Sequence, residues 1–219
     1  MIFKLETPEH QRTAIQSVVE VFRGMEKNTY DNATDEDIRA NYCSLSSEAL
    51  MSNINKIAAE NGVDPLQSNL QKTRNACIEM ETGTGKTLTY LQSAYELYKE
   101  YGLTKFIVLV PSIPIRQGVI DTFEIFKTQL EDRYDFTHNA FVYDSSKLSD
   151  LRDFITSRVY KATDGIKTAY ITVDSNLYDE TVDFFMSHPD TKFICIERAL
   201  DTTKKFNLKN KMQDKFLAF

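Results

Sequence analysis

Tryptophan is absent from this sequence, and glycine is scarce at 7 residues in 219. That scarcity excludes collagen-like and glycine-rich low-complexity chains, and it makes any local cluster of glycine informative. Cysteine is limited to Cys43, Cys77 and Cys195, an odd number, far apart and with no CxxC spacing. A disulfide framework and a redox dithiol are thereby excluded, and reduced, buried thiols are expected. His10, His138 and His188 are equally scattered, so no zinc site is expected. No long apolar run occurs, and the opening MIFKLETPEH lacks the apolar core of a secretory leader. No membrane contact and a cytoplasmic location are therefore expected, and the acceptor-like Asn32-Ala33-Thr34 carries no weight. An excess of basic residues is missing too: 26 Lys and Arg stand against 32 Asp and Glu, a formal charge of −6. Bulk electrostatic attraction to nucleic acid is excluded, so any grip on a phosphate backbone needs a local patch.

What is present is the pattern of a soluble domain with one good core. Ala14, Ile15, Val18, Val19 and Phe22 fall on one stripe and predict a helix over 12–22. From Gly24 to about Asn75 the composition turns polar, which reads as an insertion of loops and short helices, such as 46–60. Ala76-Cys77-Ile78-Glu79-Met80 reads as a buried strand, followed by a helix from Lys86 to Tyr101 with Leu88, Leu91, Tyr95 and Tyr98 on one face. Phe106-Ile107-Val108-Leu109-Val110, stopped by Pro111, has the continuous apolar character of a parallel strand covered on both faces. Ile115, Val119, Phe123, Phe126 and Leu130 predict the next helix, and Ala140 to Tyr143 the next strand. Leu148, Leu151, Phe154, Ile155 and Val159 predict a further helix. Strands over 169–173 and 193–196, with a helix near 176–187 between them, complete the series. Alternation of this kind predicts a three-layer α/β domain with a mainly parallel sheet.

The chemistry-bearing stretch is Met80-Glu81-Thr82-Gly83-Thr84-Gly85-Lys86-Thr87. It matches the end of a phosphate loop, Gly-Lys-Thr, although Met80 occupies the place of the first glycine. Its context is the one phosphate binding requires, an apolar run before it and a helix after it. Amides at a helix N-terminus, with the positive end of the helix dipole, solvate phosphate oxygens. Gly83 and Gly85 let the backbone wrap closely, Lys86 supplies a charge for the β and γ phosphates, and the Thr87 hydroxyl is a candidate Mg²⁺ ligand.

The segment from Ile78 to Val119 resembles the first motor lobe of the Res subunit of type III restriction–modification systems, superfamily 2 DNA translocases related to DEAD/DEAH helicases. Residues 80–87 resemble its motif I, in which Met or Ala replaces the first glycine. Pro111-Ser112, with Arg116 and Gly118-Val119, resembles motif Ia, and Asp174-Ser175 at the end of Ile171-Thr172-Val173 resembles a later motif; both face DNA in the family. His10-Gln11 is similar to an upstream glutamine motif, which implies that Gln11 reads the adenine edge. The resemblance implies a RecA-like phosphate-loop NTPase lobe that takes ATP and Mg²⁺. It also implies duplex DNA and a modification methyltransferase subunit as partners. The implied organisation is a helix with the glutamine motif (1–23), an insertion (24–75), an ATP-binding lobe (76–200), and an atypical tail over 201–219 for which disorder is one reading.

The match departs from the family at motif II, whose Asp holds Mg²⁺ and whose Glu positions water. The candidate strand end carries Glu197-Arg198, and an arginine can neither act as a base nor sit against Mg²⁺. Either this is a decayed motif, or it is an ordinary strand and the true motif is expected beyond the end. An incomplete first motor lobe with deficient hydrolysis is the expectation, with a truncated or frameshifted gene as its origin. Two rivals stand beside it, a non-enzymatic accessory fragment that binds a methyltransferase and a small-substrate kinase.

Overall fold

The computed structural model describes residues 4–28, 41–64, 76, 78–110, 112–142, 166–172, 193–197 and 216–218. The first helix, α1 (Glu9–Glu20), starts at Pro8, whose fixed φ suits a helix entry, and buries Ala14, Ile15, Val18 and Val19. Helix α2 (Ser47–Glu60) is capped by Ser46, whose hydroxyl accepts from the Ala49 amide at 3.2 Å. Asn53 on α2 donates to the carbonyls of Val21 and Arg23, both at 2.9 Å, and so closes the C-terminal end of α1. Helix α3 (Lys86–Tyr101) leads through Gly102 into β1 (Lys105–Val110). Helix α4 (Ile113–Tyr134) follows, capped by Ser112, which accepts from the Ile115 amide at 3.4 Å. Strands β2 (His138–Val142), β3 (Ile166–Thr172), β4 (Phe193–Glu197) and β5 (Phe216–Ala218) complete the described elements.

The sheet order is β2-β3-β1-β4-β5, and each pairing is parallel. The central place of β1 follows from its sequence. A strand with neighbours on both edges and cover on both faces needs apolar side chains at successive positions, and Phe106, Ile107, Val108 and Val110 are all buried. Its N-terminal end is tied to the segment ahead of α2 by buried Asn41, which accepts from the amides of Thr104 and Lys105 and donates to the Lys105 carbonyl. The core continues between α1, α3 and α4 through Phe22, Tyr95, Leu97, Val119 and Leu130.

Several expectations are corrected here. Residues 76 and 78–80 form no strand: they have no regular structure, and Ile78 is 39% exposed. Unlike β1, this run is broken by Glu79, whose carboxylate would have to be buried in a sheet covered on both faces. At the other end, Phe216–Ala218 do not belong to a disordered tail but pair with β4, Phe216 opposite Phe193. Tyr143, the helices expected over 148–159 and 176–187, and Val173 lie outside the described residues.

His138, fully buried, packs its ring edge-on against Tyr95 and Phe123, with centroids 5.2 and 4.5 Å away. Burial, aided by the nearby Lys127 ammonium, pushes its pKa down to about 3. The unfolded chain therefore takes up a proton first on acidification, so stability is complete above the ordinary histidine pKa and lost as pH falls toward the folded value. Going from pH 7 to pH 5 should cost about 2 kcal/mol from this group alone. Urea unfolding at both pH values should show that difference, and His138→Phe should remove it; an equal pH dependence in the two proteins would refute the assignment.

Candidate phosphate-binding site

Between the non-helical residues 78–81 and α3, the chain makes a tight turn at positions 82–84. Gly85 caps α3 in the left-handed region, φ 84° and ψ 33°, and Gly83 has φ 82°. The cap residue, a glycine, offers no side-chain acceptor, and the first amides of α3 are oriented out of the helix end. The loop's carbonyls, by contrast, are engaged. The Glu81 carbonyl accepts from the Thr84 hydroxyl at 2.7 Å and from the Lys86 ammonium at 2.5 Å. The Thr84 carbonyl accepts from Gln11 Nε2 at 2.8 Å and His10 Nε2 at 3.0 Å. A loop with its carbonyls turned toward donors and its helix-end amides outward is polarised for an anion. Thr87 lies in the first turn of α3, half-buried, so its position fits a hydroxyl ligand to a cation held by the same phosphates.

Gln11 therefore has a definite orientation. Exchanging its amide atoms would set Oε1 against the Thr84 carbonyl, so the nitrogen must face the loop. That leaves Oε1 buried without a hydrogen-bond partner. An orphaned acceptor suits an exocyclic amino group such as that of adenine and disfavours the guanine carbonyl. His10, a second donor to the same carbonyl, was not singled out for this role from the sequence; its place beside Gln11 at the start of a helix was the available signal.

Of the remaining candidates, Ser112, Arg116 and Glu197 lie at the C-terminal ends of the sheet's strands. Ser112 and Arg116 open α4 just beyond the C-terminal end of β1. Glu197 closes β4 and stands opposite Leu109 of β1. Helix α3 returns directly into the start of β1, so its N-terminus with residues 82–87 also faces these ends, where open α/β sheets bind ligands. Pro111, Asp174, Ser175 and Arg198 lie outside the described residues. A cleft of about 560 Å³ adjoins the loop, lined by His10, Val18, Ile54, Ile57, Met80 and Thr84 among others.

Residues 4–179 match the family described as type III restriction enzyme, res subunit. The chain belongs to this family. It is 29% identical over 141 residues to the EcoPI Res subunit of Escherichia phage P1 and 30% identical over 141 residues to the EcoP15I Res subunit of Escherichia coli. Each alignment takes in 63% of this chain and 14% of the relative, so the chain spans a small part of these Res subunits' length. Over 44 residues, 20% of the chain, it is 50% identical to 4% of the StyLTI Res subunit of Salmonella typhimurium. Among solved structures, a nuclease-deletion mutant of the type ISP restriction–modification enzyme LlaGI, in complex with a DNA substrate mimic, matches 99% of this chain. The TM-score is 0.53 at 15% identity, and the match takes in 17% of that chain. That likeness concerns the fold alone. Among the described residues of this family member, no helix is long and apolar enough to cross a membrane.

Proposed function

We propose that this chain is the ATP-binding first motor lobe of a type III restriction Res subunit, a three-layer RecA-like domain that acts on DNA with a modification methyltransferase subunit. The observation that carries the reading is the capping of α3 by a left-handed Gly85, with the Thr84 carbonyl held by Gln11 and His10. The α3 amides and Lys86 would hold the β and γ phosphates, Thr82 to Gly85 would wrap them, and Thr87 would ligate Mg²⁺. The ion would screen the phosphate charge. Gln11 Oε1 would accept from the adenine amino group. Pro111, Ser112, Arg116, Asp174 and Ser175 are proposed backbone contacts to duplex DNA, a salt-sensitive interaction given the net charge of −6. The division into residues 1–23, 24–75, 76–200 and 201–219 is retained in this reading, with 216–218 as part of the sheet.

Hydrolysis by this chain alone should be poor. Glu197 ends β4 at the binding end of the sheet, but the next residue is Arg198, and a guanidinium cannot take a proton from water. Calorimetry should give a micromolar or weaker dissociation constant for Mg·ATP, with ATP favoured over GTP by about tenfold, the discrimination expected from one mispaired buried acceptor. Phosphate release by the same protein should stay at background. Failure to bind Mg·ATP, or equal affinity for Mg·GTP, would count against the proposal.

A further inference from the structure

The segment Leu5 to Thr7 has no regular structure of its own, yet side chains of two helices hold it in place. From α4, Arg133 Nη2 donates to the Leu5 carbonyl at 3.1 Å, while Nη1 donates to Thr7 Oγ1 at 3.1 Å and to Gln92 Oε1 at 3.2 Å. The Thr7 hydroxyl also donates to Gln92 Oε1, at 2.8 Å, and the Leu5 amide donates to Gln129 Oε1 at 2.8 Å. Gln92 is 1% exposed in the middle of α3, so the strap is fixed to the same helix whose N-terminus forms the phosphate loop. A planar fork of donors serves two acceptors and a carbonyl spread along its edge better than the compact ammonium of a lysine.

From the strap the chain passes through Pro8 directly into α1, whose first turn has no side-chain cap. The strap therefore meets that turn with only Pro8 between them, while the later turns of α1 are held by Ala14, Ile15, Val18 and Val19. Gln11 and His10, in the first turn, are the donors to the Thr84 carbonyl. Their fit leaves almost no slack, since Gln11 Nε2 lies 2.2 Å from where a Cβ on Gly85 would be.

We propose that Arg133 is a positioning residue for the phosphate loop, acting through the Leu5–Thr7 strap to hold Gln11 on Thr84. The inference rests on the nucleotide-binding reading above but adds a residue outside the loop, near the C-terminal end of α4. Its test is a double-mutant cycle in the full 219-residue chain. Arg133→Met keeps the stem and removes the fork. It should weaken Mg·ATP binding about fivefold and Gln11→Ala about tenfold, while the double variant stays near tenfold, because two changes on one line of contact do not add. Gln129→Met, which removes the acceptor for the Leu5 amide, should repeat the pattern and serves if Arg133→Met does not fold. Multiplying effects, or no effect of Arg133→Met, would overturn the proposal. A second measurement needs no nucleotide. Amide exchange at residues 81–85 should rise in Arg133→Met as it does in Gln11→Ala, with α3 residues 94–101 unchanged. Faster exchange throughout α3 would mean a merely structural role and would also overturn it. If the unaltered chain binds no Mg·ATP, the proposed function fails, and the exchange pattern alone decides this inference.

Discussion

Replacing Gly85 with alanine is expected to reduce Mg·ATP affinity by at least about thirtyfold, some 2 kcal/mol. Two effects combine. The left-handed backbone of Gly85, φ 84°, costs a residue with a Cβ about 1–2 kcal/mol. The new methyl would also stand 2.2 Å from Gln11 Nε2 and 3.2 Å from its Cδ. Gln11 is 6% exposed and its amide nitrogen is bonded to Thr84, so yielding means breaking the contact that shapes the loop. Gly83→Ala is the internal control. Its φ of 82° carries the same backbone penalty, but nothing lies within 4 Å of an added Cβ. It should lose only the backbone cost, about five- to thirtyfold, and less than Gly85→Ala. Equal losses in the two variants would show that contact with Gln11 contributes nothing.

Lys86→Ala should lose about a hundredfold in Mg·ATP affinity while leaving the fold as stable as before. The ammonium is exposed, and its bond to the Glu81 carbonyl is a surface interaction of small net worth. Alanine is in addition a better helix former than lysine at the first position of α3. Affinity and stability should thus separate, which distinguishes a phosphate ligand from a residue that merely supports the loop. Calorimetry paired with thermal unfolding reads both quantities. Binding that survives in Lys86→Ala would remove the phosphate site from this loop.

Much of the architecture could be read before any coordinates. Val110 followed by Pro111 marked the end of β1, and Ile115, Val119, Phe123, Phe126 and Leu130 at helical intervals marked α4, because such signals act over a few residues. Reading failed where the outcome depended on distant partners. Ile78 and Met80 look like strand residues, yet a strand exists only if a ladder accepts it, and Glu79 weakens the case for cover on both faces. Phe216-Leu217-Ala218, too short to carry a pattern, becomes a strand because β4 offers it an edge.

The site divides the same way. Local sequence sufficed for the glycine-bearing turn and for the lysine and threonine at the head of α3, since all of these lie within eight consecutive residues, 80–87. The order of the strands was settled only in the folded chain. So were the direction of Gln11, pointed at Thr84 across 73 positions, and the clamp of Arg133 on Leu5 across 128. Those contacts join residues whose separation along the chain holds no periodicity to read, and packing alone brings them within hydrogen-bond reach.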